Sequence, residues 1–249
     1  MLNKIVKKIL RTFKNLFFGF FWYLKDLFLY KKLLGKSGQK LSFYYFPQIF
    51  DKDPSSHTFD KHYVYMDRWA FKQLQQAGPK EHVDVGSSIR FLSMASTVTN
   101  LKFVDIRPIH TDFDNFECLE GSILKMPFQD GSVESLSCLH VAEHIGLGRY
   151  GDPLDVLGTQ KACQELLRIL KPGGKLYFAL PVGKTAVYFN AHRVHDPDII
   201  LEYFKGLNLK EFSAVNDQGR FIENANLNEY KEARYSCGMF VFEKPQNFR

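Results

Sequence analysis

A chain of 249 residues, 45% hydrophobic and 24% charged, has the size and composition of one globular catalytic domain with something added to it. Its net charge of +6 is unevenly placed: residues 1–40 hold ten Lys or Arg against the single acid Asp26, and the remainder holds 23 bases and 26 acids. The mildly acidic body excludes a phosphate-backbone footprint on the folded domain, so no nucleic-acid partner is expected. The cysteines Cys118, Cys138, Cys163 and Cys237 lie far apart without C-x-x-C spacing, which argues against a zinc ribbon or thioredoxin-like site and for a reducing cytosol. Cys138 sits in an apolar strand candidate and is assigned to the core.

Residues 1–34 form a helical pattern. At 100° per residue, Lys4, Lys7, Lys8, Arg11, Lys14 and Lys25 fall on one stripe, with Leu2, Ile5, Ile9, Phe13, Phe17, Phe20 and Leu24 opposite; Phe18 and Trp22 lie off the apolar side. The longest uncharged apolar run, Leu16 to Leu24, is far shorter than the ~20 residues of a spanning helix, and no small-residue cleavage site follows. A basic helix this rich in aromatics is expected to lie on an anionic membrane surface, placing the protein on the cytoplasmic, inner face as a peripheral component. Residues 35–58, interrupted by Gly35, Gly38, Pro47 and Pro54, read as a linker to a domain spanning 59–249.

That domain opens with FDKHYVYMDRWAFKQLQQAG, a helix ended by Gly78, with Tyr63, Asp67 and Trp69 as candidate lid residues. In KEHVDVGSSIRF, Val83 and Val85 alternate with His82 and Asp84, Gly86 ends the strand, and Ser87 and Ser88 are placed to cap a helix from Ile89. A second strand ends at Asp105, where an acid after the glycine turn grips a ribose diol. A dinucleotide would want G-x-G-x-x-G; Ser88 and Arg90 follow the lone Gly86, so NAD is disfavoured. Further elements are a strand over Val133–Leu139, a helix over Gly158–Leu170, a strand over Lys175–Leu180, a helix in PDIILEYFKG and strands in LNLKEFSAV and SCGMFVFEK, with a polar excursion from Asn216 to Tyr235.

The stretches GSILKMPFQDGSVESLSCLHVAEH and LLRILKPGGKLYFALP resemble class I S-adenosylmethionine-dependent methyltransferases, over roughly Asp60 to Lys244. HVDVGSS, VDIRP, HVAEHIGLGRYGDPLD and FNAHRV, in this order, are most similar to the group described as domain of unknown function 268. The resemblance implies an α/β fold with a doubly wound, seven-stranded, mostly parallel Rossmann-like sheet. It also implies S-adenosyl-L-methionine as cofactor, held by Asp84, Gly86, Ser87, Ser88, Asp105, Ile106, Ser122, Ile123 and Leu139, with Ser122 standing where an acid is common.

For methyl transfer to a hydroxyl, a base near neutrality suffices, and His140, at the end of the fourth strand, is the first candidate, followed by Glu143, His144 and His192. Arg149 and Arg193 are placed to fork onto an anionic group of the acceptor, expected to be a sugar, nucleotide-sugar or lipid-linked glycan. HVAEH matches the H-x-x-E-H zinc-peptidase spacing, with His192, His195, Asp152 and Asp155 as further conceivable ligands, but His140 closes a strand, so no metal is assigned. Two rivals remain: a non-catalytic scaffold of the same fold, which the missing glycines motivate, and a metal-dependent hydrolase built on HVAEH. The oligomeric state is not legible.

Overall fold

A computed structural model describes residues 2–37, 44–45 and 59–247, with the backbone alone for residues 2–16. The chain forms two compact units, one up to Phe59 and one from Asp60 onward. Most of the expected linker, 35–58, lies outside the described residues.

In the first unit, α1 (Leu2–Ser37) runs through Gly35 and ends with Lys36 in its last turn, where a cation suits the negative end of the helix dipole. Phe17, Phe21 and Phe28 are 71%, 68% and 70% exposed, whereas Trp22, Tyr23, Leu24 and Leu27 are half-buried. Among the described residues, no helix is long and apolar enough to cross a membrane.

The second unit begins with α2 (Lys61–Ala77), whose first turn is capped by Asp60 accepting from the Tyr63 N–H at 3.2 Å and whose end is turned by Gly78 in the left-handed region. There follow β1 (Glu81–Val85), α3 (Ile89–Ala95), β2 (Asn100–Asp105), β3 (Phe116–Glu120), β4 (Val133–Leu139), α4 (Gly158–Ile169) and β5 (Leu170–Val182). A small hairpin of β6 (Ala186–Tyr188) and β7 (His192–Val194) leads to α5 (Pro197–Tyr203), β8 (Asn208–Val215), β9 (Phe221–Ile222) and β10 (Ser236–Glu243).

The sheet runs β3-β2-β1-β4-β5-β10-β8-β9. The first five strands are parallel, and β10 lies antiparallel between β5 and β8. The expected seven strands gain an eighth, β9, a two-residue edge strand inside the polar excursion and too short to leave a period in the sequence.

Side-chain alternation divides the core into two layers. Val83, Val85, Leu136, Cys138 and Phe178 pack with Ala162 and Leu166 of α4 and Ile200 of α5. On the other face Leu139, Tyr177, Ala179 and Met239 pack with Met66, Trp69 and Leu74 of α2 and Phe91 and Leu92 of α3. Burying about 25 cal/mol for each Å² of apolar surface on both faces makes the sheet a rigid platform for whatever lies beyond its strand ends.

Candidate active site

All five parallel strands point their carboxyl ends at one edge, where an open α/β sheet binds ligands. At the end of β1, Gly86 takes φ +67°, and a Cβ there would lie 3.1 Å from Val141 and 3.7 Å from Oδ2 of Asp105, so only glycine fits without displacement. Beneath this turn runs a buried polar chain. His82 bonds Ser135 through Nδ1 and Ser137 through Nε2, both at 2.8 Å, and the Ser137 hydroxyl donates to Asp84. Asp84 also accepts from the Ser87 N–H at 3.0 Å and the Ser87 hydroxyl at 2.7 Å, while the Leu139 N–H donates back to Ser87 Oγ. Burial pushes the Asp84 carboxyl up to about 7 against these hydrogen bonds.

A cleft opens above the turn, lined by Gly86, Asp105, Ile106, Ser122, Ile123 and His140 among others. Of the residues assigned to the cofactor from sequence, Gly86, Asp105, Ile106, Ser122 and Ile123 meet here. Asp84, Ser87, Ser88 and Leu139 do not line it. Asp84 and Ser87 tie the loop from below, and Leu139 is buried in the core. Ser88 caps α3 by accepting from the Phe91 N–H and donates to Asp67, which also draws Arg90 at 3.3 Å. The two residues standing at the absent glycines thus turn toward α2 rather than obstruct the cleft. Asp67 and Trp69, read as lid candidates, are buried, the latter donating to Glu211 at 2.8 Å; only Tyr63 reaches the site, 5.3 Å from the His140 ring.

At the end of β4 the chain reverses through His140 at φ +58°, a conformation costing a non-glycine residue on the order of 1–2 kcal/mol. A short 3₁₀ turn, Ala142–His144, follows. His140 Nδ1 lies 2.7 Å from Glu143 Oε1 and its Nε2 3.2 Å from Cys237 Sγ, all three side chains buried. Burial alone disfavours a charged His140, but the Cys237 sulfur and the Glu143 carboxylate outweigh it and hold the imidazole pKa well above its ordinary value. Burial would likewise raise Glu143, and the facing His140 reverses this and lowers it. His140, the first sequence candidate for the base, is therefore corrected: both its ring nitrogens are engaged, and a high pKa makes it a poor proton acceptor. His144 Nδ1 meets the Ala191 carbonyl at 2.6 Å, so HVAEH does not present two free histidines on one helix face.

The GLGRYGDPLD string folds into a tight loop in which Asp152 accepts from the Gly146 and Tyr150 N–H groups. A Cβ at Gly146 would stand 2.1 Å from the Asp155 carbonyl oxygen. Arg193 corrects another expectation. It is buried, and its guanidinium donates to the carbonyls of Ile145 at 2.5 Å and Asp155 at 2.9 Å, so it staples this loop rather than awaiting a substrate. Arg149 stays at the rim, stacked on Tyr150 at 5.2 Å and donating to the Ala191 carbonyl at 3.0 Å.

A second, wider cleft of about 620 Å³ lies beside the first, lined by His62, Tyr188, His192, Asp217, Arg234 and Tyr235 among others. His192 is half-buried between Tyr188 and Tyr235, with ring centroids at 4.9 and 4.8 Å, and burial lowers its pKa. His62 lines this cleft and His140 the first, and their rings lie 5.9 Å apart. His62, Tyr188 and Tyr235 went unnoticed in the sequence because each stands in a polar or mixed stretch without a motif.

Residues 70–178 match a family model described as a methyltransferase domain. Residues 128–244 match one described as a Caenorhabditis protein of unknown function, DUF268, so the two matches run from 70 to 244. The fold is that of class I S-adenosylmethionine-dependent methyltransferases. Geranyl diphosphate methyltransferase, solved with S-adenosylmethionine, is 12% identical with a TM-score of 0.53, the match covering 72% of this chain and 84% of that one. A putative sarcosine dimethylglycine methyltransferase from Galdieria sulphuraria is 16% identical with a TM-score of 0.51, covering 74% and 86%. The [4+2]-cyclase SpnF is 14% identical with a TM-score of 0.50, covering 72% and 80%. At these identities the likeness is one of fold, and the reaction has to be argued from the site. Among curated proteins, none matches the chain.

Geranyl diphosphate methyltransferase of this fold is solved with S-adenosylmethionine, and the first cleft of this chain fits that cofactor. Asp105 presents a carboxylate for two ribose hydroxyls, Gly86 leaves room for the methionine end, and Ile106 and Ile123 offer apolar surface to an adenine.

Proposed function

We propose that the chain transfers a methyl group from S-adenosylmethionine to a hydroxyl of a sugar, nucleotide-sugar or lipid-linked glycan at a membrane surface. The observation that carries this reading is the pair of adjoining clefts. One holds Asp105 and Gly86 at the ends of β2 and β1, the other is lined by tyrosines and two histidines, and the His62 and His140 rings, one from each lining, lie 5.9 Å apart. Tyr188 and Tyr235 offer ring faces to a sugar, and Lys61 and Gln218 offer polar groups to its hydroxyls.

When bound, the cofactor supplies an electrophilic methyl on a sulfonium, so the reaction is an in-line displacement that needs alignment and a proton acceptor. Asp105 would hold the ribose, and Gly86 would leave room for the methionine end. The His192 imidazole, neutral because burial lowers its pKa, would take the proton of the acceptor hydroxyl. Arg149, at the rim of the loop, steers an anionic acceptor.

The aromatic exposure along α1, greatest at Phe17, Phe21 and Phe28, supports residence on the inner face of an anionic membrane, where a lipid-linked acceptor would be presented. Incubating the full chain with S-adenosylmethionine and a panel of hydroxylated glycans tests the reading. Acceptor-dependent release of S-adenosylhomocysteine is expected; release with none of the sugar-bearing acceptors would reject the acceptor class.

A further inference from the structure

We propose that His62, His140 and Cys237 form a binding site for a divalent transition metal such as zinc, with its remaining coordination position open to the second cleft. The three residues come from the first turn of α2, the end of β4 and the start of β10, and their donor atoms lie within 4.8 Å of one another. In a tetrahedral zinc site with Zn–N near 2.0–2.1 Å and Zn–S near 2.3 Å, neighbouring donor atoms are roughly 3.3–3.8 Å apart. His140 Nε2 and Cys237 Sγ already stand at 3.2 Å. Only His62, on the first turn of a helix and half-buried at the cleft wall, has to close in, by about an ångström.

The donor chemistry is selective. Two imidazoles and a thiol suit zinc, cobalt or a similar borderline ion, and repel magnesium or calcium, which want oxygen. Behind the cluster, Glu143 accepts from His140 Nδ1 at 2.7 Å, the carboxylate–histidine relay that fixes which ring nitrogen faces a metal and raises its basicity. The second oxygen of Glu143 is buried without a hydrogen-bond partner among the described residues, so this carboxylate is held for charge rather than for a full set of bonds. A metal would replace the His140 Nε2–Cys237 Sγ contact, and its binding would release protons from these ligands. The site is not the H-x-x-E-H motif: of that string only His140 contributes a ligand, since His144 is turned to the Ala191 carbonyl.

Of the three ligands His62 lines the cleft that holds His192 and Tyr235, and the open position is assigned to that side. If the methyl-transfer reading holds, a metal there would polarise the acceptor hydroxyl and ease loss of its proton to His192; metal binding itself does not depend on that reading.

The test uses the full chain, stripped with a chelator and titrated with Co²⁺. A thiolate-to-cobalt charge-transfer band saturating at one ion per chain, and bleached by Zn²⁺, is expected. Cys237→Ser should abolish the band, His62→Ala should weaken Co²⁺ binding at least tenfold, and Glu143→Gln should weaken it about 10–100-fold. Circular dichroism reports whether each variant is folded, and His62→Ala keeps the test decisive should Cys237→Ser fail to fold. A folded wild type that shows no band, or a band of unchanged affinity in folded His62→Ala, overturns the proposal. S-adenosylhomocysteine binding measured on the same samples separates the two ideas: metal binding without nucleoside binding rejects methyl transfer and leaves the site, and the reverse rejects the site alone.

Discussion

Nδ1 of His140 and Oε1 of Glu143 lie 2.7 Å apart in a buried pair three residues apart in the chain, at the point where β4 turns over the sheet edge. Removing one member strands the other charge in a low-dielectric pocket, which costs on the order of 3–5 kcal/mol.

The pair fixes a pH dependence of stability. The folded pKa of Glu143 is lowered, so its contribution is present above the unfolded value of 4.5 and lost as pH falls below it. The folded pKa of His140 is raised, so its contribution is full below the unfolded value of 6.5 and lost as pH rises through the folded one. Thermal unfolding should show this as an advantage of wild type over Glu143→Gln that is largest between those values. In Glu143→Gln the acid arm should flatten; an acid arm of unchanged steepness would mean that the pair does not set it.

Asp84 works in the opposite sense to Glu143. Its folded pKa is raised from 3.8 to about 7 by burial, so its contribution is full below 3.8 and is lost as pH rises through about 7. Asp84→Asn keeps an acceptor for the Ser87 N–H and removes the ionisation. The variant should gain stability relative to wild type as pH is raised from 5 to about 8, read as the difference in urea midpoints. A difference independent of pH would show that Asp84 is already charged in the fold.

His192→Ala should lower turnover by roughly two to four orders of magnitude while leaving S-adenosylhomocysteine affinity within about twofold, the pattern of a lost general base. His140→Ala should instead lower both turnover and thermal stability, because it breaks the buried pair. Near-normal turnover in a folded His192→Ala would move the base elsewhere in the second cleft.

Full-length protein should sediment with anionic vesicles, and less so at high salt, since each Lys or Arg near such a surface contributes about 1 kcal/mol that is screened within a Debye length. Replacing Phe17, Phe20 and Phe21 with Ser should abolish sedimentation even at low salt, and deletion of residues 1–37 should leave a unit that still binds the cofactor. Sedimentation unaffected by the triple substitution would reject apolar insertion by this face.

What the sequence revealed was what local pattern encodes. Gly78 ends α2, Ser88 caps α3, and Val83 with Val85 alternates against His82 and Asp84, so those elements and the Gly86–Asp105 cleft were legible. β3 and β9 were not located, the first because FECLE has no clean alternation and the second because two residues carry no period. Arg193 misled because its type suits an anion equally well as two loop carbonyls, and only the fold decides which it meets. The grouping of Cys237 with His62 was not legible because their shared neighbour, His140, is about a hundred residues from Cys237 and about eighty from His62 along the chain, and only the α2–β4–β10 arrangement unites them.

Calorimetric titration of S-adenosylhomocysteine into wild type, Asp105→Ala and Gly86→Val bears most directly on the central claim that the cleft beyond β1 and β2 holds this cofactor. Saturable one-site binding by wild type is expected, weakened about 10–100-fold in Asp105→Ala by loss of charge-assisted hydrogen bonds, and further in Gly86→Val, whose side chain meets Val141 at a backbone angle only glycine adopts freely. Absence of binding by folded wild type, or equal affinity in wild type and folded Asp105→Ala, would contradict it.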